Sequence, residues 1–308
     1  MRRAPLSDLM FSGLIPAFPT PLRADGTLDE AGLERVVTYQ IDRGASGLVP
    51  LGGTGEATSF DLATSRRIME ITVAAAARRV PVIGGVLASG FGGAVEIGRM
   101  CRQAGADGLM VIPPYYARTD QEGVLRYFRA LAPELGLPIL FYDNPFRSHI
   151  VTAPETIARL ADERLIVGMK ASNTDLYHFD RLSKLVDDAF CLLSGQDTLF
   201  VQQVILGAKG GVLTSAALLP DHWAKVQALA EGGHVAEALA AQARLNPLMD
   251  ALFAEQFPEG VRRAFALIGL PIGRSLPPVG GLSEGAEARL AVAVEALVAA
   301  GTLARVGP

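Results

Sequence analysis

Cysteine, histidine and lysine are scarce in this chain of 308 residues. Its two cysteines, Cys101 and Cys191, are far apart in sequence and belong to no metal-spaced cluster, which argues against a disulfide framework and suits a reducing compartment. The four histidines are isolated as well: His149, His178, His222 and His234. No zinc motif can be built from them, and we expect neither a metal ion nor an organic cofactor.

Long apolar runs and dense basic stretches are also absent. No segment approaches the roughly 18 uninterrupted apolar residues of a membrane-spanning helix. Residues 1–10 contain two arginines but no apolar core of signal-peptide length, so we expect a cytoplasmic protein. Lys and Arg are scattered and the formal charge is -4, which argues against nucleic acid or an anionic membrane as a partner and favours a small molecule.

Short apolar runs alternate regularly with longer helical patterns. The runs predicted to be strands are residues 13–18, 47–51, 80–86, 108–113, 138–142, 165–170, 190–194 and 210–214. The helical stretches between them are residues 28–43, 61–78, 94–104, 119–132, 153–161, 175–187 and 198–206. Near-continuous apolar strands separated by helices indicate a parallel sheet that is covered on both faces. Eight such units predict a closed (β/α)8 TIM barrel, an α/β fold.

Additional C-terminal helices are predicted after the eighth strand, over residues 220–303. They are interrupted at residues 232–233, at Pro258 and in the segment 270–281. This last segment is rich in proline and glycine, which indicates a loop rather than a linker between domains. We therefore predict a barrel core at residues 1–219 and a helical extension, residues 220–308, that packs on it.

Lys170 is the most informative single residue, because it ends the apolar run 165–169 where a buried strand would carry another aliphatic side chain. An ammonium group in such surroundings loses hydration, which favours the neutral amine. A neutral amine can attack a carbonyl group and form a Schiff base. The alternative is an ordinary lysine whose stem lies on apolar surface while its head reaches water.

Other polar groups follow the predicted strands at their carboxyl ends, where the active sites of such barrels lie. The second strand leads into a Gly-Gly-Thr-Gly-Glu turn at residues 52–56, whose glycines let backbone N–H groups approach an anion while Thr54 adds a hydroxyl. The fourth and fifth strands lead to Tyr116 and to Tyr142 with Arg147. Each of these features also has an ordinary structural explanation. The glycines can form a simple tight turn, Tyr116 can pack at a subunit contact, Tyr142 can be a core tyrosine and Arg147 can be a surface arginine. Together they predict one rim that carries an amine, phenols, a guanidinium and an anion-binding turn.

In order and spacing these motifs resemble the dihydrodipicolinate synthase and N-acetylneuraminate lyase superfamily of pyruvate-dependent class I aldolases. The resemblance covers residues 14 to about 270. The motifs that carry it are Gly-Gly-Thr-Gly-Glu at 52–56, Pro-Tyr-Tyr at 114–116, Tyr142 with Pro145 and Arg147, Val-Gly-Met-Lys at 167–170, Ser194-Gly195, Gly-Gly-Val-Leu-Thr-Ser at 210–215, and Asn-Pro-Leu at 246–248 leading to Phe253.

The resemblance assigns the chemistry to a few residues. Lys170 would form the imine with pyruvate or another 2-keto acid, and Tyr142 would shuttle protons at this imine. Thr54, with Gly53 beside it in the glycine turn, would hold the keto-acid carboxylate. A protonated imine draws electrons from the adjacent carbon, so that a proton can leave there or a carbon–carbon bond one atom further on can break.

The resemblance also implies the walls of the site and an oligomer. The backbone around Gly195 and Leu213 would line the pyruvate pocket. Arg147 matches the position at which the synthases grip the carboxylate of their aldehyde, so a second substrate carboxylate is expected. Tyr116 would reach into the site of a neighbouring subunit, which implies a homotetramer built as a pair of dimers.

Several positions depart from the family pattern. Gly53 stands where the synthases and sialic acid lyases usually have a Thr or Ser hydroxyl in a proton relay between two tyrosines. A Gly-Gly-Thr-Gly-Glu turn instead resembles the 5-keto-4-deoxyglucarate dehydratases of the superfamily. Ala171 stands where an acidic residue is common, and Asp143 where asparagine is common. A pairing of Asp143 with Arg147, which would make the arginine structural, stays open.

Regulation by lysine is not expected. Residues 57–60 and 89–93 do not resemble the polar set that forms the lysine feedback site of many synthases.

Three functions remain open, of which the first is favoured. It is a Schiff-base-forming lyase, resembling dihydrodipicolinate synthase, that condenses pyruvate with a carboxylate-bearing aldehyde or releases it from one. The second, suggested by Gly53, is a dehydratase or aldolase of a 2-keto-3-deoxy sugar acid. The third is a phosphate-binding barrel without imine chemistry, suggested by the glycines of residues 207–211, although these precede the last strand.

Overall fold

The computed structural model describes residues 11–307 and forms a barrel of parallel strands inside a ring of helices. Within these residues, strands that pair side by side in one sheet are Gly13–Leu14, Ile83–Val86, Gly108–Val111, Ile139–Asp143, Gly168–Ala171, Cys191–Ser194 and Gly210–Gly211. Each falls on a run that was predicted to be a strand. Residues 1–10, on which the expectation of no secretion signal depends, lie outside the described residues.

The remaining barrel position, predicted at residues 47–51, closes the barrel through single bridges. Val49 N donates to Pro16 O at 3.1 Å, and Leu48 N donates to Pro81 O at 3.0 Å, so this segment joins the first strand to the third. On its other side, Ile83 N and Gly85 N donate to Leu48 O and Pro50 O at 2.8 and 3.1 Å. The ladders stay short because Pro16 and Pro50 lack the backbone N–H that would add a bond between these segments. The predicted (β/α)8 TIM barrel is confirmed.

The first and last strands approach each other closely at Gly13 and Gly210. A Cβ on Gly210, whose φ is +142°, would lie 2.1 Å from the carbonyl oxygen of Gly13. Only glycine fits such a contact. Gly210 therefore serves barrel closure, which weakens the case for a phosphate-binding loop over residues 207–211.

The helices that follow the strands are Glu30–Asp42, Leu62–Ala76, Phe91–Gln103, Gln121–Leu135, Pro154–Asp162, Leu176–Ser183, Phe200–Ile205 and Pro220–Glu231. Aspartate side chains cap the first turn of four of them: Asp29, Asp61, Asp120 and Asp175. The predicted helix 175–187 ends early, at Ser183. Asp187 instead accepts the backbone N–H groups of Ala189 and Phe190, which forms a turn before the next strand.

The predicted additional C-terminal helices are present as Val235–Ala243, Asn246–Phe253, Glu259–Leu267 and Glu284–Ala299. Helix Pro220–Glu231 packs against the first strand and is joined to the first helix by an ion pair of Arg43 with Asp221 at 3.1 Å. The division into core and extension at residues 219–220 stays a prediction. Within residues 11–307 we find no helix with the length and apolar character needed to cross a membrane.

Apolar side chains fill two layers. The inner cluster lies within the barrel and includes Ile15, Val49, Ile83, Met110, Leu140, Tyr142 and Leu193. The larger cluster lies between strands and helices and includes Phe141, Met169 and Ala171. Because successive residues of a strand point to opposite faces, Lys170, between Met169 and Ala171, points into the barrel.

Candidate active site

Lys170 and Tyr142 lie side by side within the barrel. They are register partners on the adjacent parallel strands Gly168–Ala171 and Ile139–Asp143, so their side chains point to the same face. The Nζ atom of Lys170 lies 4.6 Å from the centroid of the Tyr142 ring. Both side chains are buried, with Lys170 6% exposed and Tyr142 7% exposed. An amine is therefore held against a phenol in a place that largely excludes water.

The hydroxyl of Tyr142 has a partner from its own loop. Asn144 Nδ2 donates to this oxygen at 2.8 Å, while Asn144 Oδ1 is buried and has no hydrogen-bond partner among the described residues. A phenol oxygen that accepts one hydrogen bond still has its own proton to donate. Tyr142 is thus oriented so that its O–H remains free to act on another group.

The glycine turn brings Thr54 to a second threonine. Thr54 Oγ1 lies 3.2 Å from Thr214 Oγ1, which follows the last strand, and both residues are buried. The backbone N–H groups of Gly53 and Thr54 donate no hydrogen bond to any residue that the structure describes. Two N–H groups without an acceptor, beside a fixed hydroxyl, are donors of the kind that a carboxylate accepts.

Gly53 leaves open space at this turn. A Cβ built on Gly53 would meet no heavy atom within 4 Å, and the residue is exposed. In the resembling synthases a Thr or Ser hydroxyl stands at this position. Here no neighbouring side chain fills the space that such a residue would occupy. Larger residues can be placed here without displacing the turn.

Gly195 lies directly against the strand that carries Lys170. Its N–H donates to Ala171 O at 2.7 Å, and a Cβ on Gly195 would lie 2.3 Å from Ser172 Oγ. Leu213 is fully buried, and its carbonyl accepts the N–H of Ala17 at 3.1 Å. Both predicted wall positions thus lie at the same end of the barrel as Lys170, because each follows the carboxyl end of a parallel strand of the same sheet.

Asp197 fixes the last loop of this rim. Its carboxylate accepts the backbone N–H of Thr214 at 3.3 Å and that of Ser215 at 2.7 Å. Trp223 Nε1 donates to Ser215 Oγ at 2.9 Å and holds the same loop from the following helix. The position of Thr214, and through it of Thr54, depends on these buried contacts.

Tyr116 and Arg147 are not brought to Lys170 within the single chain. Tyr116 is 87% exposed, whereas its neighbour Tyr115 is half-buried and donates to Leu87 O at 3.3 Å. Arg147 lies on the one-turn helix Pro145–Ser148, is exposed, and forms no ion pair with any described residue. Both side chains are free to meet a substrate or another subunit.

A cleft separates the loops that carry these two residues. It has a volume of about 360 Å³ and is lined by Pro114, Tyr115, Arg118, Thr119, Ser148, His149 and Ile150. Its walls are thus the sequence neighbours of Tyr116 on one side and of Arg147 on the other.

No ion pair joins Asp143 to Arg147 among the described residues. Its carboxyl is 1% exposed, and Oδ2 has no hydrogen-bond partner there. Burial raises the pKa of Asp143 to about 6; the charge of His178 and a hydrogen bond with Asn173 lower it only in part. The guanidinium of Arg147 is therefore not neutralised by this carboxyl group.

Four residues of this region were missed in the sequence: Asn144, Asp197, Thr214 and Arg262. Asn144, Asp197 and Thr214 lie within motifs at strand ends, and that position was a usable signal. Arg262 lies on helix Glu259–Leu267 and forms a buried ion pair with Glu56, the last residue of the glycine turn. Nothing in the local sequence of this helix indicates such a contact.

Comparison with known proteins agrees with this geometry. The model of the Dihydrodipicolinate synthetase family matches residues 10–297, more than the span on which the resemblance was recognised. The chain is 37% identical over 288 residues to a 4-hydroxy-tetrahydrodipicolinate synthase of Acidiphilium cryptum, covering 94% of this chain and 99% of that protein. It is 37% identical over 260 residues to the protein of that name in Syntrophus aciditrophicus, covering 84% of this chain and 89% of the relative.

Solved structures give the same result. A dihydrodipicolinate synthase from Aquifex aeolicus superposes with a TM-score of 0.89 at 28% identity, covering 96% of this chain and 100% of that chain. One from Cyanidioschyzon merolae with lysine bound has a TM-score of 0.90 at 27% identity, covering 95% and 99% of the two chains. On its sequence, its barrel and the family match along almost its whole length, this chain belongs to the dihydrodipicolinate synthetase family.

Proposed function

We propose that this protein is a Schiff-base-forming lyase that joins pyruvate to a carboxylate-bearing aldehyde, or releases pyruvate from the product. The observation that carries the proposal is the buried amine of Lys170 lying 4.6 Å from the ring of Tyr142. Relatives with 33–37% identity that bear the name 4-hydroxy-tetrahydrodipicolinate synthase support the same reaction class.

The reaction balances with pyruvate, an aldehyde and water alone. The Lys170 amine adds to the keto carbon of pyruvate, and the carbinolamine loses water to give the imine. A proton leaves the adjacent methyl group to give an enamine, whose terminal carbon attacks the aldehyde carbon. Water then hydrolyses the imine, which releases the product and restores the free amine.

Tyr142 would supply the protons that these steps require. Formation of the carbinolamine needs a proton for the new alkoxide, and its dehydration needs a proton for the departing hydroxyl. The Tyr142 hydroxyl is held by Asn144 with its own proton free to donate. A single phenol beside the amine would serve both steps.

The keto-acid carboxylate would be bound at the glycine turn. The free N–H groups of Gly53 and Thr54 and the Thr54 hydroxyl, fixed by Thr214, offer three donors. Neutral donors hold the carboxylate without placing a second full positive charge next to the amine. The backbone at Gly195 and Leu213 would form the opposite wall.

The aldehyde would carry its own acidic group. Arg147 is exposed, directly precedes the cleft residue Ser148, and forms no ion pair with Asp143. A guanidinium binds a carboxylate through two parallel hydrogen bonds. This arrangement favours an aldehyde with a carboxylate over a neutral one.

The active form is proposed to be a homotetramer built as a pair of dimers. Tyr116 is 87% exposed in the single chain, and tyrosine is enriched at subunit contacts. Tyr116 would enter the site of the neighbouring subunit.

A second candidate is dehydration of a 2-keto-3-deoxy sugar acid such as 5-keto-4-deoxyglucarate. The observation that favours it is the open space at Gly53, where the relay hydroxyl of the synthases is missing. The same imine would form, but a hydroxyl would leave as water without formation of a new carbon–carbon bond.

Borohydride reduction in the presence of pyruvate, followed by peptide mass mapping, tests the proposal. We expect a pyruvate adduct on the peptide that carries Lys170 and on no other lysine. Lys184, whose side chain is 69% exposed, is an internal control for non-specific labelling. A folded protein that takes up no label at Lys170 from pyruvate or other keto acids contradicts the imine mechanism.

Product mass then separates the two candidates. If the first is correct, pyruvate with aspartate semialdehyde should give a product of the combined mass when water hydrolyses the imine, or of the combined mass less water when the amine of the aldehyde displaces Lys170 and closes a ring. Loss of water from 5-keto-4-deoxyglucarate, with no condensation in the other assay, would favour the second.

A further inference from the structure

The glycine turn ends in a buried ion pair that the proposed mechanism does not use. The side chain of Arg262 is 0% exposed and that of Glu56 is 5% exposed. Arg262 Nε donates to Glu56 Oε2 at 2.9 Å, and one of its terminal nitrogens donates to the same oxygen. These two residues are 206 positions apart in sequence. The pair therefore joins the rim of the barrel to a helix that follows it.

Arg262 connects three segments at the catalytic end of the barrel. Besides Glu56, it donates to Thr20 O at 2.8 Å, after the first strand, and to Ile272 O at 2.9 Å, in the loop after its own helix. That loop also donates to the turn, because Leu276 N binds Glu56 Oε1 at 3.2 Å. Every donor group of the guanidinium thus faces protein, and none is directed at a substrate.

The turn itself has a backbone that needs such support. Glu56 has a φ of +55° and Leu51 a φ of +57°, so non-glycine residues at both ends are in the left-handed region. A side chain in that region is disfavoured, and the conformation persists when surrounding contacts determine it. Thr20 Oγ1 donates to Gly55 O at 2.8 Å, so Thr20 and Arg262 hold the turn from the same side.

We infer that Arg262, acting through Glu56, is a positioning residue that sets the donors of the turn for the carboxylate of the keto acid. This rests on the proposed function. The N–H groups of Gly53 and Thr54 lie between Leu51 and Glu56, so a shift at Glu56 moves both donors relative to Lys170. The helices after the barrel thereby determine how tightly the first substrate binds, without contacting it.

Two roles of the ion pair can be distinguished by experiment: it can stabilise the fold alone, or it can also position the glycine turn for the substrate. Removing one partner of a buried pair leaves an unpaired charge and destabilises the protein, whereas neutral replacement of both partners is often tolerated. We therefore compare Arg262→Met with the double variant Glu56→Gln and Arg262→Met. We expect the melting temperature of the single variant to fall strongly, and that of the double variant to be much closer to the value of the unaltered protein.

The decisive measurement is the pyruvate concentration that gives half-maximal borohydride labelling of Lys170. In the folded double variant we expect this pyruvate concentration to rise about tenfold or more. A small displacement of the donors in the turn weakens binding, because their hydrogen bonds to the carboxylate depend on precise geometry. The aldehyde concentration needed for half-maximal rate should change little, since Arg147 lies on a different loop. Arg262→Lys should bind pyruvate with intermediate strength.

Glu259→Gln is the matched control. Glu259 is buried on the same helix and accepts the N–H of Ser275 at 2.9 Å in the same loop, but it has no hydrogen bond to the turn. This variant should lose stability and keep the native labelling curve. A folded double variant with the native labelling curve overturns the inference while leaving the imine mechanism intact. Absence of labelling in the unaltered protein overturns the proposed function and this inference together.

Discussion

At Tyr142 the hydroxyl can be removed while the ring that contacts Lys170 is kept. We expect Tyr142→Phe to reduce turnover by about 10²-fold or more, because general acid–base groups contribute factors of this size. Folding should be retained, since the ring still fills the inner core. Steady-state kinetics with pyruvate and an aldehyde measures the effect. Tyr115→Phe, a nearby half-buried tyrosine that binds Leu87 O, is the control and should retain activity.

Gly53 offers a gain-of-function test. Because a Cβ there meets no heavy atom within 4 Å, Gly53→Ser should fold with an unchanged melting temperature. If the missing relay hydroxyl limits condensation, the serine should raise the rate of condensation by about tenfold. Gly92→Ser, equally open but far from the site in sequence, controls for effects of serine as such. An unchanged condensation rate in folded Gly53→Ser would show that this hydroxyl is not limiting.

The buried carboxyl group of Asp143 should make the free energy of unfolding depend on pH. Its pKa is raised by burial from 3.8 to about 6, so between these values the folded state binds more protons than the unfolded state. This carboxyl therefore lowers the free energy of unfolding as pH rises through that window. The Asp143→Asn variant has no titrating group at this position. The free energy of unfolding of the variant minus that of the unaltered protein should therefore increase from about pH 4 to about pH 7, by on the order of 1 kcal/mol or more.

Urea unfolding of both proteins across that pH range measures this difference. Other carboxyl groups titrate in both proteins and cancel in the comparison. A difference that stays constant with pH would mean that Asp143 does not titrate in this window.

At the scale of elements, the segments that form the lysine site of many synthases have a different character here. Residues 57–60 form a short 3-10 turn and its end, and helix Phe91–Gln103 begins inside residues 89–93. Besides three glycines, the two segments contain only apolar and hydroxyl side chains and no carboxylate to bind a lysine ammonium group: Ala57, Thr58, Ser59, Phe60, Ser89 and Phe91. We expect millimolar lysine to leave the initial rate unchanged. An inhibition constant in the micromolar range would contradict this prediction.

Element boundaries show where sequence patterns are reliable. Strands and helices were correctly placed because apolar runs and aspartate caps are local signals, as at Asp61 and Asp120. The second strand was predicted as a regular strand but pairs only through bridges. Pro16, opposite it, and Pro50, within it, accept hydrogen bonds but cannot donate, and which bonds are lost becomes visible only when the pairing partners are known.

At the scale of the whole molecule, the proposed tetramer predicts a particle of four times the 32.5 kDa chain mass. Light scattering on the purified protein tests this directly. Because Tyr116 is proposed to enter the neighbouring site, subunits carrying Tyr116→Phe should have reduced activity alone, and subunits carrying Lys170→Ala should have none. In mixed oligomers, an intact Tyr116 from one subunit should complement an intact Lys170 in its neighbour and restore part of the activity. No recovery in verified mixed oligomers would mean that Tyr116 does not act across the interface.

By itself, the sequence determined the barrel and led to Lys170 as the proposed reactive amine. Apolar strands alternate with capped helices, and parallel strands must place their carboxyl ends at one rim. A lysine at the end of such a strand can also extend its stem along apolar surface, so the motifs at the other strand ends were needed to favour chemistry. These inferences need only neighbouring residues. The tertiary structure decided which groups hold the site in shape: Asn144 on the Tyr142 hydroxyl, Thr214 on Thr54, and above all Arg262 on Glu56. A buried ion pair between residues 206 positions apart depends on how two distant segments pack, and no local pattern encodes that contact.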